Sequence, residues 1–263
     1  MATVAFFHAH PDDESIATGG TMARLAAEGH RVVCVIATKG ELGEVEDGFL
    51  AEGEKLEDRR VEETHASCRI LGVSFGHFLG YRDSDMIGRE GNDDPACFWR
   101  ADVEEAAERL AGVLREHEVD VLTVYDDHGT YGHPDHIQVH RVGVRAAELA
   151  GIDRVYESTY DQDHLRSLMK LAAENEDVPA VPDTEGVDET LGVPGHLITT
   201  RVDVRPYLDK KRASMAAHAS QISETSFFLS MPPEAFEVAW GTEFYVRRGA
   251  APGTSESSLV EGL

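Results

Sequence analysis

Residues 4–14 read Val-Ala-Phe-Phe-His-Ala-His-Pro-Asp-Asp-Glu, so an apolar run passes directly into a cluster of imidazoles and carboxylates. A second junction of this kind follows later, where the apolar residues 121–125 precede Gly-His-Pro-Asp-His at 132–136. Each junction has the pattern of a strand that gives way to a helix. Ligands bind at the carboxyl ends of the strands in an open α/β sheet. We therefore expect both clusters to face one crevice.

The first 150 residues alternate between the patterns of strands and helices. We predict strands at 3–8, 31–37, 75–80 and 120–125, and helices at 14–28, 54–71, 100–117 and 134–149. This alternation favours an α/β fold, with a Rossmann-like, mostly parallel sheet flanked by helices. The chain has no GxGxxG after its first strand and no Walker sequence, which argues against the nucleotide-binding versions of this architecture.

The second half of the chain is less regular. Here the patterns predict strands at 154–160, 196–204 and 242–248, helices at 161–175 and 205–222, a mobile loop at 176–195 and a frayed tail at 250–263. We expect residues 1–150 to form a Rossmann-like core that carries the metal site. Residues 151–263 would be a C-terminal elaboration that completes the sheet and the substrate pocket within a single structural domain.

Composition limits the partners of the protein. The formal net charge of −25 opposes binding to nucleic acid or to an anionic membrane. The three cysteines imply no disulfide framework, and Cys34 and Cys68 fall in predicted elements where we expect buried thiols. There is no apolar run of about 20 residues and no signal-peptide pattern at the N-terminus. We therefore expect a cytoplasmic protein, and homo-oligomerisation stays open.

The first cluster has the residue types and spacing of a zinc site. A catalytic zinc takes about three protein ligands and keeps one position open for water. His10 and Asp13 lie three residues apart at the end of the predicted strand, and Asp12 between them can face the water as a general base. Capping of the next helix is the alternative, and it explains one of these carboxylates but not all of them.

The second cluster can complete the site. His133 and His136 lie three apart at the start of a predicted helix, so one can bind metal while the other faces the substrate. Asp135 can hold an imidazole in the required tautomer. Two weaker alternatives remain from the sequence. They are a His136/His140 metal pair on one helix face and a ligand at His128.

Together, His-Pro-Asp-Asp-Glu at 10–14 and His-Pro-Asp-His at 133–136 resemble the LmbE-like (PIG-L) superfamily of zinc-dependent N-deacetylases. Residues 38–44, 81–86 and 217–222 are similar to further stretches of the family's mycothiol-pathway branch. The resemblance covers most of residues 3–222. It departs from the pattern at Thr130, where relatives often carry glycine.

This resemblance implies roles for individual residues. His10, Asp13 and His136 would bind Zn²⁺, and Asp12 would be the general base. His133 would be the general acid or an oxyanion stabiliser with Asp135 behind it, and Tyr131 would polarise the scissile carbonyl. The implied substrate contacts are Arg60, Asp83, Glu41 and His218.

The implied function is that of a metal-dependent amide hydrolase, which removes an N-acetyl group from an N-acetylglucosaminyl substrate by attack of metal-activated water. A first alternative is an amidase that acts on a thiol conjugate such as a mycothiol S-conjugate. A second is a tailoring or accessory deacetylase of natural-product biosynthesis. A non-catalytic metal- or sugar-binding protein is the remote alternative, and the presence of both Asp12 and His133 argues against it.

Overall fold

The computed structural model describes residues 1–174 and 191–263. In this part of the chain, one sheet of seven strands runs in the order β3-β2-β1-β4-β5-β7-β6. The strands are β1 Thr3–His8, β2 Arg31–Ile36, β3 Phe75–Phe78, β4 Val121–Tyr125, β5 Arg154–Thr159, β6 Thr200–Asp203 and β7 Thr242–Arg247. The first five pair in parallel, whereas β7 is antiparallel to both β5 and β6. The predicted mostly parallel α/β sheet is confirmed.

Helices cover both faces of this sheet. In chain order they are α1 Asp13–Ala17, α2 Gly19–Ala27, α3 Leu56–Leu71, α4 Val103–Glu116, α5 Gly129–Gly132, α6 Pro134–Ala150, α7 Gln162–Glu174, α8 Leu208–Ala217, α9 Phe227–Ser230 and α10 Pro233–Trp240. Phe7 of β1 is buried in the core cluster that holds residues of α4 and α6, and Phe6 in the one that holds residues of α2 and α3. The central strands are mostly apolar because both of their faces are buried.

The strand order creates the crevice that the sequence predicts. β1 lies between β2 and β4, so the chain builds the sheet outward in one direction from β1 and in the other from β4. Such a reversal leaves room at the carboxyl ends of the two strands, where ligands bind in open α/β sheets. Residues 9–13 follow β1 and residues 126–136 follow β4, so both polar clusters lie at this reversal.

Several element boundaries differ from the predictions. The predicted helix at 14–28 is two helices, α1 and α2, separated by Thr18. The predicted strand at 196–204 is shortened to β6 because Gly195–Leu197 form a 3-10 turn. The predicted helix at 205–222 begins with a 3-10 turn and continues as α8, which ends at Ala217. The short helices α5, α9 and α10 are not predicted by the sequence pattern. Most of the loop predicted at 176–195 lies outside the described residues.

The prediction of a frayed C-terminal tail is wrong. The tail packs beside β6, where the Glu256 amide donates to the Thr199 carbonyl at 2.8 Å and the Arg201 amide donates to the Glu256 carbonyl at 3.0 Å. The Glu256 carboxylate also accepts hydrogen bonds from Tyr156 at 3.1 Å and from Thr200 at 2.9 Å. Leu259 is fully buried in the core. The polar composition of the tail does not indicate that Glu256 and Leu259 anchor it to the rest of the protein.

All three cysteines are buried and free, as predicted for Cys34 and Cys68. Among the described helices, none combines the length and the apolar character needed to cross a bilayer.

Candidate active site

Three side chains from the two clusters converge at the sheet reversal. The Oδ2 atom of Asp13 lies 3.4 Å from Nδ1 of His10 and 3.4 Å from Nε2 of His136. Ligand atoms around a tetrahedral zinc, at about 2.1 Å from the metal, are about 3.4 Å apart. Asp13 Oδ2 therefore lies at the spacing of two zinc ligands from each imidazole, and the types of these three donors are those that zinc prefers.

His10 makes a second set of contacts with its other ring nitrogen. Its Nε2 lies 3.1 Å from Oδ2 of Asp135 and 3.6 Å from Oδ1 of Asp83. A ring nitrogen that binds a carboxylate leaves the opposite nitrogen oriented and available for a metal. Nδ1 of His10 is therefore the ring nitrogen available to a metal on the Asp13 side, and His10 also forms a metal-competent group with Asp83 and Asp135.

The position of Asp135 corrects the prediction that it stands behind His133. Its carboxylate accepts from His10 Nε2 and also from the backbone amide and the hydroxyl of Ser84. Its hydrogen bond to His133 comes from the backbone instead, where the Asp135 amide donates to His133 Nδ1 at 3.1 Å. Asp135 is the second residue of α6, and from there its fully buried side chain reaches His10 across the crevice.

That backbone bond determines the tautomer of His133. Because Nδ1 accepts a hydrogen bond, the proton of the neutral ring must lie on Nε2. Burial, with His10 and His136 nearby, lowers the pKa of His133 to about 3. One ring nitrogen each of His10, His133 and His136 lies within 4.8 Å of the others. The structure thus places a neutral imidazole beside the metal donors.

Asp12 occupies an unusual backbone conformation between the two predicted ligands. Its φ angle is 102°, in the region that residues other than glycine rarely adopt. Its carboxylate accepts from Arg60 Nη2 at 3.2 Å. Burial raises the pKa of the Asp12 carboxyl to about 6, although Arg60 opposes the shift. A carboxylate held here lies next to the metal donors without being one of them.

Arg60 is almost fully buried and makes its contacts within the protein. Besides Asp12, its guanidinium donates to the carbonyls of Gly40 and Pro11. Gly40 has a φ of 63°, and a side chain there would collide with the guanidinium. The glycine in the 38–44 stretch therefore lets Arg60 approach the turn that carries Asp12. A direct contact between Arg60 and a substrate stays a prediction.

His218 does not line the crevice, so the predicted substrate contact is wrong for this residue. Its side chain is fully buried, and its Nε2 lies 2.6 Å from Oε1 of Glu14. His218 caps the end of α8 and points toward the interior under α1.

Asp83 and Glu41 remain candidates for substrate contacts. Asp83 is buried near His10 and accepts from the backbone amides of Asp85 at 2.8 Å and Leu42 at 3.4 Å. Glu41 contacts Arg82 through Oε1 at 3.4 Å, while its Oε2 is buried and has no hydrogen-bond partner within residues 1–174 and 191–263. An unpaired carboxylate oxygen can accept a substrate hydroxyl.

Tyr131 stands at the edge of the site. Its side chain is half-exposed, and its hydroxyl lies 3.4 Å from His136 Nε2. The preceding Thr130 has φ 67° and ψ −65°, a strained conformation for a β-branched residue. The Thr130 amide donates to Asp126 at 2.6 Å, and its carbonyl accepts from Gly192. Glycine would adopt such a backbone without this steric cost.

The two alternative metal ligands lie elsewhere. His140 Nδ1 bonds to the Tyr125 carbonyl at 2.9 Å, and His128 contacts Asp127 at 3.1 Å. Neither belongs to a metal-competent group found among the described residues. Asp13 also lies outside these groups, but unlike the two alternatives it contacts both His10 and His136.

Sequence reasoning missed the residues that support the site from behind. Ser84 holds Asp135, and Ser67 donates to Glu14 at 2.5 Å. Ser84 lies in the 81–86 stretch that resembles relatives, so its position was visible although its role was not. Ser67 lies within a charged helix and gives no signal in the sequence.

The sheet and the cluster at its reversal define an α/β protein with a metal-competent site at the strand ends. A family model described as "PIG-L: GlcNAc-PI de-N-acetylase" matches residues 5–147. The chain belongs to this family.

Two proteins with similar sequences have the same name. A protein of Salinispora arenicola, named 1D-myo-inositol 2-acetamido-2-deoxy-alpha-D-glucopyranoside deacetylase, is 41% identical over 97% of this chain and 90% of its own. A protein of the same name from Thermobifida fusca is 43% identical over 85% of each chain.

Among solved structures, the N,N'-diacetylchitobiose deacetylase of Pyrococcus horikoshii matches with a TM-score of 0.59 and 22% identity, over 95% of this chain and 84% of that one. A deacetylase of teicoplanin biosynthesis in complex with teicoplanin matches with a TM-score of 0.61 and 15% identity, over 95% and 100%. At these identities the structures show a shared fold.

Proposed function

We propose that the protein is a zinc-dependent hydrolase that removes the N-acetyl group from an N-acetylglucosaminyl substrate. The observation that carries this proposal is the contact of the Asp13 carboxylate with both His10 and His136 at 3.4 Å, with the carboxylate of Asp12 on the adjacent residue. The name shared by the relatives supports the reaction.

The three donors would hold the zinc ion. When bound, zinc would supply Lewis acidity, which lowers the pKa of water to about 7 and polarises a carbonyl group. Asp12 would take the proton from the attacking water as the general base. It lies next to the proposed ligand Asp13 in the chain but is not itself a proposed ligand, so its carboxylate would be available to accept a proton. Arg60 would keep the Asp12 carboxylate aimed at the site through its hydrogen bond.

His133 and Tyr131 would act on the amide. With Nδ1 occupied, His133 presents an N–H at Nε2, which can stabilise the negative charge that develops on the carbonyl oxygen. This arrangement favours a neutral His133 that stabilises the oxyanion over a His133 that is protonated before the reaction and acts as the general acid. The proton that the leaving amine requires would come from Asp12 after it has deprotonated the water. The Tyr131 hydroxyl would donate a second hydrogen bond to the same oxygen.

The substrate that we favour is the inositol-linked N-acetylglucosamine after which the relatives are named. Asp83 and the free oxygen of Glu41 would accept hydrogen bonds from sugar hydroxyls. A thiol-conjugate amidase would use the same donors with a different outer pocket. The free, buried thiols also fit our expectation of a cytoplasmic enzyme.

An amine-release assay tests the proposal. The zinc-loaded protein would be offered N-acetylglucosamine, N-acetylglucosaminyl-inositol, an acetylcysteinyl conjugate of mycothiol and an acylated aminoglycoside. We expect release of the primary amine with the highest kcat/KM for N-acetylglucosaminyl-inositol. A preference for the thiol conjugate would support the amidase instead, and no release from any compound would contradict a hydrolase.

A further inference from the structure

Glu14 is a fully buried carboxylate that the proposed reaction does not use. Its Oε1 accepts hydrogen bonds from the Ser67 hydroxyl at 2.5 Å and from His218 Nε2 at 2.6 Å. Its Oε2 accepts from the backbone amide of Asp12 at 3.0 Å. A buried carboxylate is stable only when such partners replace water. Glu14 therefore joins α3 and the end of α8 to the turn that carries Asp12.

The backbone of Asp12 is held on both sides. Glu14 binds its amide, and its carbonyl accepts from the amides of Ser15 at 2.9 Å and Ile16 at 3.1 Å and from the Ser15 hydroxyl at 2.7 Å. A non-glycine residue keeps a positive φ, here 102°, only where surrounding contacts determine its conformation. The Glu14 bond is the one side-chain contact to the amide of this strained residue among the described residues.

We propose that Glu14 is a positioning residue for the reaction. It would hold the Asp12 backbone at its positive φ and thereby aim the Asp12 carboxylate at the attacking water. His218 and Ser67 would in turn orient Glu14. This inference rests on the proposed role of Asp12 as general base.

The chemistry of the site requires a carboxylate at position 14. Three donors, namely the Asp12 amide, Ser67 and His218, point at this one side chain. An ionised carboxylate accepts at both oxygens, whereas glutamine has one accepting oxygen and an NH₂ group that donates. With its oxygen toward Ser67 and His218, glutamine places its NH₂ group against the Asp12 amide, and that hydrogen bond is lost. The reverse orientation requires both Ser67 and His218 to change from donor to acceptor.

A competing explanation is that Glu14 only joins α1 to the interior. That role predicts a loss of stability without a specific effect on the chemical step. Glu63 offers a matched control, because it is a buried carboxylate of α3 that accepts two hydrogen bonds from Ser220 at 2.9 and 2.6 Å. Glu63 contacts the same 218–222 segment, but within the described residues it makes no hydrogen bond to Asp12.

The experiment compares Glu14→Gln and Glu63→Gln in the zinc-loaded, full-length protein. We expect Glu14→Gln to keep its zinc and to lower kcat about 10- to 100-fold with KM changed less than about threefold, since a misplacement of about 1 Å can cost about 100-fold. Glu63→Gln should lose thermal stability with kcat preserved. Equal effects of both variants on kcat would overturn the proposal.

A double-mutant cycle links Glu14 to Asp12. If Glu14 acts through Asp12, Glu14→Gln should cost less than about threefold in kcat when Asp12→Asn is already present. The conservative variant His218→Gln, which keeps an N–H donor near Glu14, should retain more kcat than His218→Ala. Additive losses in the cycle would show that Glu14 acts independently of Asp12.

A crystal structure of Glu14→Gln separates this inference from the proposed function. We expect the Asp12 φ angle to leave the positive region, or its carboxylate to move away from Arg60, with zinc still bound. An unchanged Asp12 backbone would overturn the positioning role whatever the enzyme's activity. If wild-type protein releases no amine but Asp12 moves in the variant, the proposed function fails while the structural role of Glu14 stands.

Discussion

His10 Nε2 and the Asp135 carboxylate lie 3.1 Å apart, although 125 residues separate them in the chain. This contact joins the cluster after β1 to the first turn of α6. It orients the imidazole so that Nδ1 faces Asp13. A hydrogen bond from a ligand histidine to a carboxylate fixes its tautomer and raises its basicity.

Removing this contact should weaken metal binding without removing a ligand. We expect Asp135→Asn to lower zinc affinity about 10- to 100-fold, measured by competition with a chromophoric chelator. Asp161→Asn is the control, because Asp161 is also a buried carboxylate but pairs with Arg201 at 3.2 Å. Unchanged affinity in Asp135→Asn would show that His10 needs no support from this carboxylate.

The metal content of histidine variants tests the ligand set. The protein should bind about one zinc per chain, and His136→Ala should lose most of it. His140→Ala should keep its zinc, because His140 bonds to the Tyr125 carbonyl. Elemental analysis that shows the reverse pattern would move the site to the His136/His140 pair.

Asp12 and Asp13 are neighbours with different predicted roles. Asp13→Ala should lose metal and activity together. Asp12→Asn should keep zinc, lower kcat by about 100- to 10,000-fold and change KM far less, as expected for loss of a general base. Zinc content and steady-state kinetics measured on the same samples distinguish the two. Loss of zinc from Asp12→Asn, with near-normal turnover when the metal is restored, would reverse the assignment.

Tyr131→Phe should affect the reaction but not the fold. The Tyr131 side chain is half-exposed, so loss of its hydroxyl should leave the melting temperature nearly unchanged. Loss of one donor to a developing oxyanion typically costs about 100-fold in kcat or more. A kcat within about threefold of wild type would exclude a role for the hydroxyl in polarising the carbonyl.

The pair of Glu14 and His218 should make stability depend on pH. Burial lowers the pKa of His218, but Glu14 outweighs this effect and the pKa is raised above the ordinary 6.5. The contribution of protonated His218 to the free energy of unfolding is therefore complete below about pH 6.5. It is lost as the pH rises through the pKa of His218 in the folded state. Burial likewise raises the pKa of Glu14, yet His218 and Ser67 bring it below 4.5, so its contribution is lost as pH falls through the folded-state value.

The test compares melting temperatures of metal-free wild type and His218→Gln between about pH 5 and pH 9. The difference should be largest near about pH 5.5 and should shrink as pH rises. His140→Gln serves as the control for loss of an imidazole. A difference that grows with pH would contradict the charged pair.

Much of the fold could be predicted because the hydrophobic patterns of strands and helices involve residues that are close together in the sequence. The apolar runs at 31–37 and 121–125 indicated buried parallel strands, and Gly72 and Gly151, which end α3 and α6, both adopt the left-handed conformation. The tail was mispredicted because one buried leucine and one paired glutamate outweigh its polar composition. The antiparallel β7 depends on pairing at long range, which periodicity does not report.

The candidate site also combines local features of the sequence with contacts that depend on the tertiary structure. The motifs at 10–14 and 133–136 carry the donor types, and the structure brings three of them together. The partner of Asp135 was misassigned because adjacency in sequence favoured His133, whereas the direction of its side chain from α6 selects His10. His218 was assigned to the substrate from a motif alone, and only packing under α1 shows that it is enclosed.

By itself, the sequence determined which elements form and which chemical groups follow β1 and β4. Periodicity and turn residues act over a few neighbours, so these properties can be read locally. Only the tertiary structure determined which side chains of these groups form hydrogen bonds with one another. The direction of the Asp135 side chain, the burial of His218 and the positive φ of Asp12 all depend on contacts between segments that are distant in the chain. Such contacts exist only once the sheet has formed and its helices have packed against it.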